Sequence, residues 1–286
     1  MTIAVRPLAT LEDLRACEAL QEAVLGSRSR ALLRLPVLAS IQRSGGLLLG
    51  AWEDGVSRNA LRGTLIDLVA EAEGFPARFT LHLLVHPEHR NRGIGQSLRA
   101  AERNACVAGR VSLVFWWSDP IRSPEAHIAF NKLGAIAAAY RRNALGPLQD
   151  QAGEGLASDR IRVEWWLDAP RVRPILDEHR QPPHYGLGLS QMHVITRTKR
   201  EATGQRFAVD LDELPSKPYV LVEIPVDLDR LRATDIEAAR HWRLVAREAF
   251  EVLFGKGYVL VGLVHESLRS FQLFERADRG TILGRS

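Results

Sequence analysis

Two arginines and two glycines follow a short apolar run at a spacing that suits the binding of an anion. They are Arg90, Arg92, Gly93 and Gly95, and the apolar run before them ends at Pro87. Glycine allows a ligand to approach the backbone closely, and arginine supplies formal positive charge. We call residues 90–97 the glycine loop, and its composition predicts that it binds a phosphate group.

A strand and a helix are expected to position the glycine loop. Residues 79–86 form an apolar run of strand length, and the residues after Gly93 place apolar side chains at helical spacing, namely Ile94, Leu98, Ala101, Ala105 and Cys106. The first N–H groups of a helix have no partner within it, and the helix dipole adds about half a positive charge there. The strand, loop and helix together therefore predict an anion site at the start of the helix.

Other phosphate-binding motifs fit this stretch less well. A dinucleotide-binding fingerprint requires a third glycine and an acidic residue on the next strand, and a Walker loop requires Gly-Lys-Ser/Thr. The glycine loop contains neither pattern. An ordinary strand–loop–helix connection, in which the glycines only shape the turn, stays open as the alternative.

The pattern Arg-x-x-Gly-x-Gly after a Leu/Val-rich strand resembles the acyl-CoA-binding motif of the GNAT acetyltransferase superfamily. A second marker lies downstream, where GNAT members end a helix with a small residue, an aromatic residue, Lys, a hydrophobic residue and Gly. The matching residues are Ala126, Phe130, Lys132, Leu133 and Gly134. The resemblance covers about residues 1–169. Within the superfamily the chain is similar to a branch of predicted acetyltransferases marked by stretches like 116–120 and 155–160, with a C-terminal extension.

The predicted order of elements over residues 1–169 is β-α-α-β-β-β-α-β-α-β-β, with residues 71–76 as a loop. This is the order of the GNAT acyl-CoA N-acyltransferase fold, a mixed α/β (α+β) sheet. Residues 170–215, which contain several prolines, are predicted to be a linker. Residues 216–286 are predicted to form a smaller β-α-β-β region. We consider it either a degenerate GNAT half-repeat, testable by its strand order, or an unrelated cap.

The resemblance implies where acetyl-CoA would bind as co-substrate. The backbone of Leu83 and Val85 would pair with the pantetheine arm, and backbone N–H groups from Arg92 to Ser97 would bind the pyrophosphate. The cofactor-binding residues expected from the resemblance are Leu83, Val85, Arg90, Asn91, Arg92, Gly93, Ile94, Gly95, Gln96, Ser97 and Phe130.

Acetyl transfer to an amine also requires a proton acceptor, because a free alkylamine has a pKa near ~10.4. Some GNAT members carry a Glu early on this strand, but here the corresponding region is Phe79–Thr80. We predict His82 as the catalytic base, since histidine is the commonest general base; Glu71 and Glu73 are further candidates. Many GNAT members use a Tyr at the position of Phe130 to protonate the departing thiolate, and Phe cannot do so.

The leading hypothesis is an acetyl-CoA-dependent N-acetyltransferase that moves an acetyl group directly to an unidentified amine of a small molecule or peptide. A non-catalytic acyl-CoA-binding or sensing module is the alternative, and a scaffold without ligand is a third. Cofactor binding distinguishes the scaffold from the other two, and thiol release distinguishes the enzyme from the module.

Composition narrows the partners and the location. The 286 residues carry a net charge of +4, and residues 197–200 form the only dense basic run, so nucleic acid is not expected as a partner. The two cysteines, Cys17 and Cys106, support neither a disulfide framework nor a metal site. A signal peptide and a membrane-spanning apolar run are both missing from the sequence, which favours a cytoplasmic location without membrane contact. A homo-oligomer stays open.

Overall fold

The computed structural model describes residues 3–53, 61–146, 155–187, 191–200, 206–213 and 217–284. The chain divides after Trp116 into two compact units, and each is described by itself. Over residues 1–169 the helices and strands follow one another in the predicted order. Both units contain sheets and helices, so the mixed α/β class is confirmed. In the part of the chain described, no helix has the length and hydropathy needed to cross a membrane.

The first unit is a five-stranded sheet in the order β1-β2-β3-β4-β5. Its elements are β1 (Ile3–Pro7), α1 (Leu11–Leu25), α2 (Leu35–Arg43), β2 (Leu47–Glu53), β3 (Leu61–Ala72), β4 (Phe75–Val85), α3 (Ile94–Ala108) and β5 (Leu113–Ser118), whose last two residues belong to the second unit. Neighbouring strands are antiparallel except β4 and β5, which are parallel. A helix between two parallel strands is the usual crossover, and α3 forms it here.

Residues 71–76, expected as a loop, instead form a tight hairpin. Strand β3 continues to Ala72 and β4 begins at Phe75, so only Glu73 and Gly74 form the turn. Both have positive φ, 56° and 79°. Two successive positive φ values match the right-handed twist of the strands on either side, which allows a two-residue connection.

Two apolar clusters cover the two faces of this sheet. Leu14, Cys17 and Leu38 of α1 and α2 pack with Leu48 and Ile66 on one face. On the other face, the α3 residues pack against β2, β3 and β4; the members include Ile94, Leu98, Leu49, Leu65, Leu83 and Val85. Helix α3 therefore lies on the face opposite to α1 and α2.

The second unit contains a sheet in the order β7-β6-β12-β13-β11-β8 and a separate hairpin of β9 and β10. Its elements are α4 (Ser123–Ala126), continued by a π-helix (His127–Lys132), β6 (Ile136–Arg141), β7 (Arg160–Trp166), α5 (Arg173–Asp177), β8 (Met192–Val194), β9 (Thr196–Arg200), β10 (Arg206–Leu211), β11 (Tyr219–Ile224), α6 (Leu228–Thr234), α7 (Ile236–Gly255), β12 (Tyr258–Glu266), β13 (Arg269–Arg276) and α8 (Arg279–Leu283). The stretch 170–215, expected as a linker, thus contains α5 and three strands.

A helix followed by two antiparallel strands occurs twice in the second unit. The helix at 123–132 precedes β6 and β7, and α7 precedes β12 and β13. The first strands of the two pairs, β6 and β12, are antiparallel to each other, with Ala137 opposite Leu260. The three strands of the C-terminal region lie in the order β12-β13-β11, and the half-repeat stays a prediction.

Candidate functional site

Strand β4 pairs with β5 over only a short part of its length. The paired residues are 77–79 of β4 and 113–115 of β5, whereas β4 pairs with β3 from Phe75 to Val85. From Thr80 onward, the β4 edge on the β5 side has no strand partner within the described residues of the first unit. A free strand edge presents unpaired N–H and C=O groups to an extended ligand. Leu83 and Val85, the residues predicted to pair with the pantetheine arm, lie on this free edge.

A β-bulge interrupts the β3–β4 ladder close to the point where β4 leaves β5. Ile66 is opposite His82 and Asp67 is opposite Thr80, so Leu81 is the extra residue. Directly opposed residues of an antiparallel pair share a face of the sheet. His82 therefore lies on the face of Ile66, toward α1 and α2, whereas Leu83 and Val85 pack against α3.

The glycine loop joins β4 to α3 through two left-handed residues. Asn91 has φ 60° and Gly93, the N-cap of α3, has φ 79°. The first helical hydrogen bond runs from the Ser97 N–H to the Gly93 carbonyl at 2.9 Å. The N–H groups of residues 94–96 precede that bond and are not used within the helix.

The surroundings of this helix start favour an anion. A Cβ added at Gly93 would meet no atom within 4 Å, so the space above the N-cap is open. A Cβ at Gly95 would lie 3.5 Å from Leu83, which shows that α3 packs closely on β4. The first turn of α3 contains no acidic residue, and Arg90 and Arg92 are exposed beside it. The structure thus brings the predicted residues 83, 85 and 90–97 together in one unit.

His82 is half-buried and its Nδ1 atom is buried without a hydrogen-bond partner. Burial lowers the pKa of His82 to about 4, because a charged imidazolium is poorly solvated there. The side chain is therefore neutral near pH 7 but only weakly basic. Glu71 and Glu73, the other candidate bases, are exposed at the β3–β4 turn, at the opposite end of β4 from the glycine loop.

Phe130 lies in the π-helix of the second unit, and its side chain is only 1% exposed. The π-helix follows α4 and places Ala129, Phe130 and Asn131 in the interior of that unit. Its role as a cofactor contact stays a prediction.

A buried polar cluster beside the free edge of β4 is not predicted by the sequence analysis. We call Asp67, Thr80, Arg99 and Glu102 the buried quartet; all four are at most 5% exposed. Thr80 Oγ1 donates to Glu102 Oε1 at 2.8 Å, and Arg99 Nη1 lies 2.7 Å from Glu102 Oε2 and 2.9 Å from Thr80 Oγ1. The Arg99 guanidinium also lies 4.0 Å from the ring centroid of Trp116.

The quartet explains a difference between the predicted and observed faces of α3. Ala105 is exposed, while Arg99 and Glu102 are buried with Ile94, Leu98 and Cys106. One feature of the sequence indicates a buried polar cluster: Asp67 places a carboxylate within the apolar run of β3. Burial raises the pKa of Asp67 well above its usual range, and the neighbouring Glu102 charge raises it further. Asp67 is therefore the member of the quartet that favours the protonated form.

Comparisons with known proteins find similarity at the level of structure. No protein-family model and no curated protein matches the sequence. The chain is similar to the ribosomal-protein-S18-alanine N-acetyltransferase of Escherichia coli, with 17% identity, coverage of 57% of this chain and 92% of that one, and a TM-score of 0.44. The chain is also similar to an N-acetyltransferase of Staphylococcus aureus Mu50, with 16% identity, coverage of 59% of this chain and 100% of that one, and a TM-score of 0.47.

A third similar structure is a GNAT superfamily phosphinothricin acetyltransferase of Sinorhizobium meliloti in complex with AcCoA, with 20% identity, coverage of 57% and 88%, and a TM-score of 0.45. All three of these proteins are acetyltransferases. Each alignment covers under two thirds of this chain.

Proposed function

We propose that this chain is a GNAT-type acetyltransferase that moves an acetyl group from acetyl-CoA directly to an amine of a small molecule or peptide. The observation that carries the proposal is the position of the free β4 edge relative to the start of α3. An extended acyl-pantetheine arm can pair with the edge at Leu83 and Val85. Its pyrophosphate then meets the unused N–H groups of residues 94–96 and the charges of Arg90 and Arg92.

The thioester would lie near the bulge at Leu81, where β4 separates from β5. A backbone N–H of the strand can donate a hydrogen bond to the thioester carbonyl as negative charge develops on its oxygen. Loss of one such donor typically lowers the rate by about 10²–10³.

In the chemical step, the neutral amine forms an N–C bond and the C–S bond breaks, giving an amide and the CoA thiolate. The proton lost from the amine nitrogen passes to a base, and His82 is the side chain proposed for this role because its imidazole is neutral at pH 7. Phe130 has no proton to give to the thiolate. A thiol pKa of about 8.5 makes the thiolate an acceptable leaving group without that help.

Calorimetric titration with acetyl-CoA and with CoA tests the binding half of the proposal. We expect the wild-type chain to bind both and the Gly93→Trp variant to bind neither, because the indole would occupy the open space above the N-cap. Gly74→Trp is the matched control: Gly74 has the same φ of 79° and the same open surroundings, but lies at the far end of β4. Equal loss of binding in both variants, or no binding by the wild type, would contradict the proposal.

A non-catalytic acyl-CoA-binding module is the second candidate function. It is favoured by the buried Phe130, which carries no hydroxyl, and by the low basicity of His82. Release of free CoA thiol from acetyl-CoA, followed with a thiol reagent across a panel of primary amines, separates the two functions. Amine-dependent release supports the enzyme, and binding without release with any amine supports the module.

A further inference from the structure

His86, Glu88 and His89 bring three metal-binding side chains together between β4 and the glycine loop. Each offers one ligand atom, a ring nitrogen or a carboxylate oxygen, and these three atoms lie within 4.8 Å of one another. We propose that this group binds one divalent transition ion of the Zn²⁺, Co²⁺ or Ni²⁺ type. The two cysteines predicted no metal site, whereas the ligand groups here are two histidines and a glutamate.

The backbone accounts for the proximity of the two imidazoles. Residues Pro87–His89 form a single 3₁₀ turn with His86 as its N-cap, closed by the His89 N–H on the His86 carbonyl at 2.9 Å. This closed turn brings the backbone of His86 and His89 close together, and the two rings lie near each other. Their centroids are 5.6 Å apart with an interplanar angle of 71°.

The start of the turn is held by the sheet. The His86 N–H donates to the Arg62 carbonyl of β3 at 2.9 Å, which continues the β3–β4 ladder up to the site. A ligand set on a fixed backbone loses less conformational freedom when it binds an ion. The Nδ1 atoms of both histidines are buried without a hydrogen-bond partner, so neither nitrogen is already used by the protein.

The chemistry of the donors selects the class of ion. Imidazole nitrogen is a preferred ligand of Zn²⁺, Ni²⁺ and Cu²⁺, whereas Mg²⁺ and Ca²⁺ prefer oxygen ligands. A tetrahedral ion with bonds of about 2.1 Å places its ligand atoms about 3.4 Å apart, which small side-chain rotations reach from the observed separation. Three protein ligands leave a fourth position for water.

Two arginines lie near His89, but only part of their positive charge would repel a bound cation. Arg62, Arg92 and Glu53 are the charged groups that act on His89. Arg62 Nε lies 2.8 Å from Glu53 Oε2, so that charge is already balanced, and the Glu88 carboxylate adds a negative charge to the site itself. The inference depends on these ligand groups alone and stands independently of the proposed acetyl transfer.

Titration of the tag-free full-length chain with Co²⁺, followed by visible absorption and by calorimetry, tests the site. We expect one ion per chain and an affinity that falls at least about tenfold in His86→Ala, His89→Ala and Glu88→Gln, the loss that even outer-shell changes typically cause. His193→Ala, at a half-buried histidine of β8, is the matched control and should bind like the wild type.

Glu88 is exposed, so Glu88→Gln keeps the fold and remains informative where a histidine variant is unstable. Wild-type Co²⁺ affinity in Glu88→Gln and in either folded histidine variant would overturn the inference. Weak binding of several ions per chain, reduced equally in the His193→Ala control, would overturn it as well.

Discussion

Asp119 and Arg243 form a bidentate ion pair, with Nη1–Oδ1 and Nη2–Oδ2 distances of 2.8 and 2.6 Å. One turn further along α7, Arg247 also makes a bidentate contact, donating from Nε to Asp159 Oδ2 at 2.8 Å and from Nη2 to Asp159 Oδ1 at 2.9 Å. The two aspartates belong to the stretches 116–120 and 155–160 that marked the resemblance to a branch with a C-terminal extension. Both stretches thus bind one helix of the second unit, which assigns them a structural role.

Removal of the Asp119 carboxylate should strongly destabilise the second unit. Arg243 is 2% exposed, and a buried charge that loses its partner typically costs about 3–5 kcal/mol. We expect Asp119→Ala to lower the free energy of unfolding by about that amount, measured by urea denaturation. Glu251→Gln on the same helix removes an exposed pair with Arg142 and should cost under about 1 kcal/mol. An equal loss of unfolding free energy in the two variants would show that burial does not increase the contribution of the Asp119–Arg243 pair to stability.

The buried quartet should make stability depend on pH through Asp67. Its folded pKa lies well above the ordinary value, so the folded state holds a proton that the unfolded chain releases. Asp67 therefore contributes least to the free energy of unfolding at high pH. Its contribution falls as the pH rises from about 4 to the folded pKa, by at most ~1.4 kcal/mol per pH unit.

Asp67→Asn carries no such proton and should flatten this decline. Urea unfolding of the wild type and the variant at pH 5, 6, 7 and 8 measures the difference between the two pH profiles. Parallel profiles would show that Asp67 is ionised in the folded chain at these pH values.

Substitution by alanine should affect stability differently at the two glycines of the glycine loop. Gly93 has φ 79°, and a residue with a Cβ costs roughly 1–2 kcal/mol in the left-handed region. Gly95 is helical, and a Cβ there meets Leu83 at an ordinary 3.5 Å. Gly95 is the second residue of α3, and alanine has a higher helix propensity than glycine. Thermal unfolding should therefore show a loss for Gly93→Ala and no loss for Gly95→Ala.

If His82 accepts the amine proton, His82→Gln should lower kcat by about 10²–10⁴ and leave the KM for acetyl-CoA near its wild-type value. The reason is that His82 lies on the α1 and α2 face, away from the start of α3. Because burial lowers the pKa of His82 to about 4, the wild-type rate should show no loss of this base between pH 6 and 8. A rate for His82→Gln equal to that of the wild type would remove His82 from the mechanism.

The order of elements over residues 1–169 could be predicted because each element has a local cause. Thr10 and Asp13 form a capping box at the start of α1, and Gly93, with its positive φ, is the N-cap of α3. The separation of β4 from β5 could not be predicted in this way, because it depends on backbone pairing between residues 79 and 115, which are distant in sequence. The strands within 170–215 escaped prediction for the same reason: β8 is a strand because it pairs with β11.

The sequence by itself determined that an apolar strand, a glycine turn and a helix follow one another at residues 79–108, since apolar spacing and glycine φ preferences are local properties. Tertiary structure alone decided which polar side chains of that segment are buried. Glutamate is usually exposed on a helix surface. Glu102 is nevertheless fully buried, because Thr80 and Arg99 donate hydrogen bonds to its carboxylate oxygens. These hydrogen bonds, one of them from Thr80 of strand β4, offset the free-energy cost of burying the carboxylate. The local sequence around Glu102 does not predict the bond from Thr80.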